Sequence, residues 1–160
     1  MNDNLVRSSP AAFKILRITA AQVEQMHALL DVFAAAFDDA NRYTKARPSR
    51  TYLVELLADA SFFALVARDD ASIIGGLVAY ELRKFEQECS EIYIYDLAVS
   101  EAYRRNGVAS ALIETLKPLA AARKASVIFV QAEKDDPPAI ALYSRLGTRE
   151  DVVHFDIPVT

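Results

Sequence analysis

Three consecutive apolar runs in the middle of the chain constrain its fold more than any other feature. They read FFALVARD (62–69), SIIGGLVAYEL (72–82) and SEIYIYDLAV (90–99), and short polar breaks separate them. The break RDDAS is typical of a tight hairpin turn, and RKFEQECS is typical of a longer loop. The pattern therefore predicts an antiparallel meander of three strands.

Elements on both sides of the meander predict a mixed α/β order. Before it, KILRIT (14–19) reads as a strand, and apolar residues at helical spacing indicate two helices around the polar segment 38–50. After it come a helix from about Asn106, the strand SVIFVQAE, a helix through PAIALYSRLG and a last strand, VVHFDIPV (152–159). A crossover helix joins parallel strands, so the third meander strand and SVIFVQAE should be parallel. The predicted fold class is α/β, with a mixed, mostly antiparallel central sheet and helices on both faces.

Length, composition and charge limit the possible functions. The 160 residues, 52% of them hydrophobic, fit one globular domain, which we expect at residues 13–160 after a loose polar tail at 1–12. No apolar run approaches the roughly 18 to 20 residues of a membrane helix, and no signal peptide is visible, so we expect a soluble, cytoplasmic protein. A net charge of −4 argues against a nucleic-acid surface and is compatible with a cationic small-molecule substrate.

Cysteine and histidine are too sparse for a structural metal. Cys89 is the only cysteine, so no intrachain disulfide is possible, and the two histidines, His27 and His154, lie far apart in the sequence. We therefore expect no metal site.

The junction after the third meander strand carries the strongest chemical signal. The stretch DLAVSEAYRRNGVASALI (96–113) ends a strand and begins a helix with two arginines and one of the chain's four glycines. A helix start combines unpaired backbone N–H groups with the positive end of the helix dipole. Gly107 lets a ligand approach the backbone, and Ala109 keeps the next position small. The segment predicts an anion site, but it matches neither nucleotide fingerprint, GxxxxGK[ST] or GxGxxG.

These segments resemble the GCN5-related N-acetyltransferase superfamily over most of the chain. The superfamily signature (Q/R)-x-x-G-x-(G/A), which cradles the pyrophosphate of acetyl-CoA, corresponds to Arg104, Arg105, Asn106, Gly107, Val108 and Ala109. A second pattern, N-x-x-A-x-x-L-Y-x-x-x-G-F, is met by Ala139, Leu142, Tyr143 and Gly147, with Asp136 in place of Asn and Thr148 in place of Phe. The resemblance implies acetyl-CoA as cofactor, with coenzyme A as product.

The resemblance also implies where that cofactor binds. The parallel strands splay apart in the superfamily, which leaves backbone groups on the first of them without a neighbour and open to the pantetheine arm. The implied cofactor-binding residues are Leu97, Ala98, Val99, Arg104, Arg105, Asn106, Gly107, Val108, Ala109, Ser110 and Tyr143.

Further segments are similar to the aminoglycoside 3-N-acetyltransferases of the gentamicin-modifying type. They are KFEQ (84–87), SEIYIYDLAVS (90–100), ALYSRLG (141–147) and HFDI (154–157). The similarity implies direct acetyl transfer to the 3-amino group of an aminoglycoside, hence antibiotic resistance, and it favours a homodimer to which residues 152–159 contribute. Two alternatives stay open: an acetyltransferase for another small amine, a polyamine or a protein amino group, and a non-catalytic acyl-CoA-binding sensor.

Two side chains are candidates for the transfer chemistry. Asp96 interrupts an apolar run, and because an unpaired buried carboxylate is costly, it either pairs with an arginine or faces a cleft as general base or ammonium anchor. Tyr143, with a phenol pKa of about 10, is a proton donor to a thiolate whose conjugate acid has a pKa near 8.5, or else a core aromatic. We expect Tyr93 and Tyr95 to serve sheet packing.

An acidic rim is the predicted binding site for a cationic substrate. Glu133, Asp135 and Asp136 form an acidic run at the end of a strand, which is either a solvated loop or a set of partners for substrate ammonium groups. We expect Glu86 and Asp156 to join Asp96 and this run in substrate binding.

Overall fold

The computed structural model of the chain describes residues 12–160, so residues 1–11 of the predicted tail lie outside the described residues. Its five strands are β1 (Lys14–Arg17), β2 (Phe62–Arg68), β3 (Ile73–Arg83), β4 (Ser90–Val99) and β5 (Ala125–Val130). Its four helices are α1 (Glu24–Ala36), α2 (Arg50–Ala58), α3 (Val108–Ala122) and α4 (Pro137–Leu146). None of the helices in this part of the chain has the length and apolarity that crossing a membrane requires.

The strands form one sheet in the order β1-β2-β3-β4-β5. The first three neighbouring pairs are antiparallel, whereas β4 and β5, which α3 connects, are parallel. The predicted fold class and the parallel pair are therefore confirmed.

Helices cover both faces of this sheet. On one face, α1 contributes Leu29 and Phe33 to a buried cluster that includes Val66, Val78 and Ala98. On the other face, α3 contacts the strands through its buried residues Leu112 and Leu116. Because successive strand residues point to opposite faces, the alternating apolar residues of β2, β3 and β4 supply both halves of the core.

The described chain divides into two compact units, one ending at Val130 and one formed by Gln131–Thr160. The first contains the sheet and α1 to α3, and the second contains α4. The expectation of a single domain at residues 13–160 stays a prediction.

The predicted last strand at residues 152–159 is wrong. After α4 the chain has no regular secondary structure up to its end, and Val152, Phe155 and Ile157 are exposed. Alternating apolar residues make a strand only where a partner edge accepts their backbone hydrogen bonds, and the alternation alone does not reveal whether such an edge is present.

Candidate active site

The parallel pairing stops before β4 ends, which opens one side of β4. The last parallel partners are Ile94 and Val130, while residues 95–99 continue alongside β3 alone among the described strands. Leu97, Ala98 and Val99, the residues expected along the pantetheine arm, lie in this extension. The Val99 carbonyl already accepts a 3.1 Å hydrogen bond from Arg104 Nε, so it is held in place by the junction that follows.

A β-bulge at Tyr95 decides which way the following residues point. Val78 of β3 lies opposite Asp96, and the next residue, Ala79, lies opposite Ile94, so that Tyr95 is the extra residue. In regular alternation Asp96 would share a face with Ile94, which is buried on the α3 side. The bulge instead places Asp96 on the α1 side of the sheet, opposite Val78.

Tyr43, which the sequence analysis did not single out, is the hydrogen-bond partner of Asp96. Its hydroxyl donates to Asp96 Oδ2 at 2.9 Å. The residue belongs to a short π-helical turn, Asn41–Lys45, within the polar segment between α1 and α2, and its ring packs 5.8 Å from Phe33 and 5.7 Å from Phe37. The only sequence signal was one tyrosine among polar residues, at a separation of 53 positions from its partner.

Burial raises the pKa of Asp96, since it disfavours the charged carboxylate. The hydrogen bond from Tyr43 and the positive charge of Arg42 act in the opposite direction and only partly offset the effect. The pKa of Tyr43 is raised as well, first by burial and then by the Asp96 charge, so this phenol stays protonated. Asp96 is thus a half-buried carboxylate of increased basicity whose hydrogen-bond partner is a neutral phenol. Arg42 acts on it through its charge, without a salt bridge between the two described side chains, and the role of Asp96 stays a prediction.

The junction between β4 and α3 has the backbone of an anion cradle. Arg105 and Gly107 both adopt left-handed conformations, with φ of 64° and 80°, and α3 begins at Val108 directly after Gly107. The free N–H groups of the first turn of this 15-residue helix and the positive end of its dipole therefore lie directly after Gly107. A Cβ added at Gly107 would meet no atom within 4 Å, which leaves the approach to these N–H groups open.

The residues before the cradle are tied to the β2–β3 turn. The Tyr103 hydroxyl donates to Asp69 Oδ2 at 2.5 Å, and Asp69 Oδ1 accepts from the backbone N–H groups of Ala71 and Ser72. These hydrogen bonds lower the pKa of Asp69, with the bond from Tyr103 as the largest cause. The β2–β3 turn is therefore hydrogen-bonded to the segment that leads into the cradle.

In the second unit, Tyr143 lies on α4, which Asp136 caps by accepting from Ala139 N–H at 3.1 Å. The Asp for Asn departure from the superfamily pattern thus preserves the cap. Burial, followed by the Asp136 charge, raises the pKa of Tyr143 to about 12. With this pKa the phenol stays protonated at neutral pH.

Some carboxylates of the predicted acidic rim already have partners within the protein. Glu86 pairs with Lys84 at 3.0 Å in the β3–β4 loop, next to the start of β4, and about 20 Å of strand at about 3.3 Å per residue separates Ser90 from Asp96. The structure therefore does not bring Glu86 to Asp96. In the second unit, Asp156 contacts His154 at 3.0 Å, while Glu133 and Asp135 are exposed. Across residues 12–160 no cluster of three or more His, Cys, Asp or Glu side chains is arranged to hold a metal ion.

Comparisons with solved structures agree with this geometry. The chain is 54% identical to an aminoglycoside acetyltransferase from an uncultured soil metagenomic sample, with a TM-score of 0.91 over 93% of this chain and 99% of that one. It is 30% identical to a second aminoglycoside acetyltransferase from such a sample, solved in complex with sisomicin, with a TM-score of 0.86 over 92% of this chain and 97% of that one.

Curated relatives are more distant and only partly covered. The chain is 29% identical over 110 residues to an N-alpha-acetyltransferase of Saccharolobus solfataricus, a match of 62% of this chain and 64% of that protein. A similar enzyme of Sulfurisphaera tokodaii is 27% identical over 58% of each chain, so the match spans about three fifths of these relatives' length. The sequence profile of the acetyltransferase (GNAT) family matches residues 26–148, which include the β4–β5 opening, Asp96 with Tyr43, and the cradle. The chain therefore belongs to the acetyltransferase (GNAT) family.

Proposed function

We propose that the protein transfers the acetyl group of acetyl-CoA to the 3-amino group of an aminoglycoside and so confers resistance to such antibiotics. The observation that carries the proposal is Asp96, a half-buried carboxylate of raised pKa that the bulge presents beside the opened end of β4. The acceptor class is supported by 54% identity to an aminoglycoside acetyltransferase and by the sisomicin complex of a second relative. The choice of the 3-amino group rests on the resemblance of residues 84–87, 90–100, 141–147 and 154–157 to the gentamicin-modifying enzymes.

The cradle and the end of β4 would hold the cofactor. Acetyl-CoA supplies the thioester that reacts. Backbone N–H groups from Arg105 to Ser110 would bind its pyrophosphate, the exposed guanidinium of Arg105 would add positive charge, and the backbone of residues 97–99 would bind the pantetheine arm. The Arg104 side chain, bonded to the Val99 carbonyl, keeps the two regions together.

Asp96 would act on the acceptor amine. An amine attacks a thioester only when unprotonated, and an adjacent carboxylate both orients the ammonium form and accepts its proton, directly or through a water. Burial makes Asp96 a better base than an ordinary aspartate, and Tyr43 keeps Oδ2 occupied, which leaves Oδ1 for the amine. Tyr143 would stabilise the departing thiolate by donating a hydrogen bond.

Outlying carboxylates would bind the remaining ammonium groups. Glu133, Asp135 and Asp156 are exposed in the second unit, and Asp136 keeps a free carboxylate oxygen besides the one that caps α4. Each ammonium of a polycationic acceptor would find a carboxylate partner there. Glu86 would contribute only through long-range attraction, because Lys84 already binds it.

The test is coenzyme A release with acetyl-CoA and a panel of aminoglycosides that differ in whether position 3 carries a free amine. We expect turnover with 3-amino compounds and none when that amine is blocked, and NMR of the product should show acetylation there. Turnover that persists with the blocked compounds would refute the 3-amino assignment while retaining the acetyltransferase.

N-alpha-acetylation of a peptide or protein is the second candidate function, because the two curated relatives are N-alpha-acetyltransferases. Peptides with free and blocked amino termini in the same assay distinguish it from the aminoglycoside reaction. An acyl-CoA sensor would bind acetyl-CoA without turnover on any acceptor and would tolerate Asp96→Asn.

We also infer a homodimer and a cytoplasmic location. The exposed apolar side chains of Val152, Phe155 and Ile157 support the dimer, because a partner surface would remove them from water. Sedimentation of the full chain and of a variant ending at Asp151 tests it: a full chain that sediments as a monomer contradicts the dimer. The location follows from the need for acetyl-CoA, a cytoplasmic metabolite, and imaging of a tagged protein would check it.

A further inference from the structure

Aromatic rings cross the sheet in one row beside Asp96. The strand registers place Phe62 opposite Tyr80, Tyr80 opposite Tyr93, and Tyr93 opposite Phe129, so the row spans β2 to β5. Phe62 and Tyr80 have ring centroids 5.2 Å apart, and Tyr93 stacks on Phe129 at 4.9 Å with an interplanar angle of 11°. Cross-strand aromatic pairs of this kind hold each other in fixed orientations.

The bulge adds a further ring to this row. Tyr95 stands edge-on to both Tyr80 and Tyr93, with centroid distances of 5.8 Å to each. Tyr95 is 53% exposed, and Tyr80 and Tyr93 are half-buried, so the group retains an accessible surface. We call these three residues the tyrosine platform.

Asp96 lies within electrostatic reach of the platform. Burial is the main cause of the raised pKa of Tyr80 and Tyr93, and the Asp96 charge contributes to both. The phenols therefore remain neutral. The electron-rich ring faces and hydroxyl groups of the platform therefore lie near one carboxylate, that of Asp96, on the same side of the sheet.

We propose that the tyrosine platform binds the saturated 2-deoxystreptamine ring of the acceptor, which carries the 3-amine, an inference that rests on the proposed function. Ring faces attract both the C–H groups of a saturated ring and an ammonium group, and Asp96 at the edge of the platform fixes the amine. The expectation that Tyr93 and Tyr95 serve only sheet packing does not account for Tyr95, because a packing residue would be covered.

The backbone beneath the platform favours a saturated ring over a peptide. Residues 80 and 93 lie in strands that are paired on both sides, so their backbone offers no free edge to an extended peptide. The open edge of β4 begins only at Tyr95, and its continuation at residues 97–99 is the part proposed above for the pantetheine arm. A saturated ring needs no edge, because its C–H groups contact side chains alone. The same face continues away from Asp96 with Leu82, which is 46% exposed and has no ring.

Steady-state kinetics with sisomicin and acetyl-CoA test the platform in Tyr95→Leu, Tyr95→Phe and the matched control Leu82→Ala. We expect Tyr95→Leu to raise KM for sisomicin by about 3- to 30-fold, the range of a stacking or cation–π contact, with KM for acetyl-CoA unchanged. Tyr95→Phe keeps the ring and should stay within about twofold of the wild type, as should Leu82→Ala. An unchanged sisomicin KM in folded Tyr95→Leu would overturn the proposal.

Binding measured by NMR without acetyl-CoA separates this inference from the proposed function. C–H signals of the 2-deoxystreptamine ring of sisomicin should shift upfield on binding to the wild type and to Leu82→Ala, because they lie over aromatic rings, and the shift should shrink in Tyr95→Leu. If the wild type binds sisomicin in this way but does not acetylate it, the proposed function fails and the platform stands. If the wild type acetylates sisomicin without a Tyr95-dependent shift, or does not bind it, the platform is refuted.

Discussion

Replacing Tyr43 by Phe isolates the hydrogen bond that holds Asp96. The change removes one hydroxyl, whose oxygen lies 2.9 Å from Asp96 Oδ2, and leaves the ring packed against Phe33 and Phe37. The hydroxyl stabilises the ionised carboxylate and so lowers the pKa of Asp96. Its loss must therefore raise that pKa further above the ordinary aspartate value.

The size of the shift follows from the strength of the bond. A hydrogen bond to a charged group is worth about 1.5 to 3 kcal/mol, and solvent screening of a partly exposed carboxylate reduces this to about 1 kcal/mol. The pKa of Asp96 should therefore rise further, and at 1.36 kcal/mol per factor of ten the ionised fraction at a pH on the acidic limb should fall about fivefold. If Asp96 works in its ionised form, kcat/KM at that pH falls by about the same factor, and the acidic limb moves to higher pH.

The assay is kcat/KM for the aminoglycoside against pH, at saturating acetyl-CoA, for the wild type, Tyr43→Phe and Phe37→Leu. Deprotonation of the substrate amine also contributes to the rise, but it is common to all three proteins, so differences report the enzyme. Phe37→Leu is the control, because it loosens the packing of Tyr43 without removing its hydroxyl, and its acidic limb should not move. An unmoved limb in folded Tyr43→Phe would refute the idea that the protonation of Asp96 limits the reaction.

Three further variants test the remaining parts of the site. Asp96→Asn should lower turnover by about 10² to 10⁴ if the carboxylate is the base, or mainly raise the aminoglycoside KM if it is an anchor. The raised pKa of Asp96 stabilises the folded protein below pH 3.8, and this stabilisation is lost as pH rises through the folded-state pKa. At pH 7 the melting temperature of Asp96→Asn should therefore be no lower than that of the wild type, and a clearly lower melting temperature contradicts this. Tyr143→Phe should lower turnover more than stability, and a change of turnover within about twofold would mean that the phenol only packs or positions. Since the pKa of Tyr143 is about 12, the wild type should show no alkaline limb from this phenol below about pH 11. Gly107→Asn should fold, because Asn tolerates a left-handed backbone better than Val does, and its acetyl-CoA affinity in calorimetry should be more than about tenfold weaker. Unchanged affinity would refute the assignment of the pyrophosphate to the cradle.

The sequence predicts those parts of the molecule that depend on local pattern. The three-stranded meander and the parallel pair follow from apolar runs and a crossover helix, and the cradle follows from one glycine at a strand-to-helix junction. Two features escape this reasoning for physical reasons. The contact of Tyr43 with Asp96 joins positions far apart in the chain, and the run IYIYD is apolar in both phases, so it does not reveal the bulge that turns Asp96 towards α1. The prediction of a last strand is wrong because an alternating pattern does not reveal whether a neighbouring strand is present to pair with it.

The bulge at Tyr95 also bears on how such a site changes by insertion and deletion. Ile94 and Asp96 lie opposite consecutive residues of β3. Removing Tyr95 would therefore leave a regular strand in which all the remaining side chains keep their faces. The bulge is thus equivalent to a one-residue insertion that adds an aromatic side chain next to Asp96 without shifting the rest of β4. An insertion or deletion elsewhere in β4 would instead exchange the faces of all residues beyond it, and would carry Asp96 or Val99 to the wrong side. Within β4, position 95 is therefore where relatives of different strand length should differ.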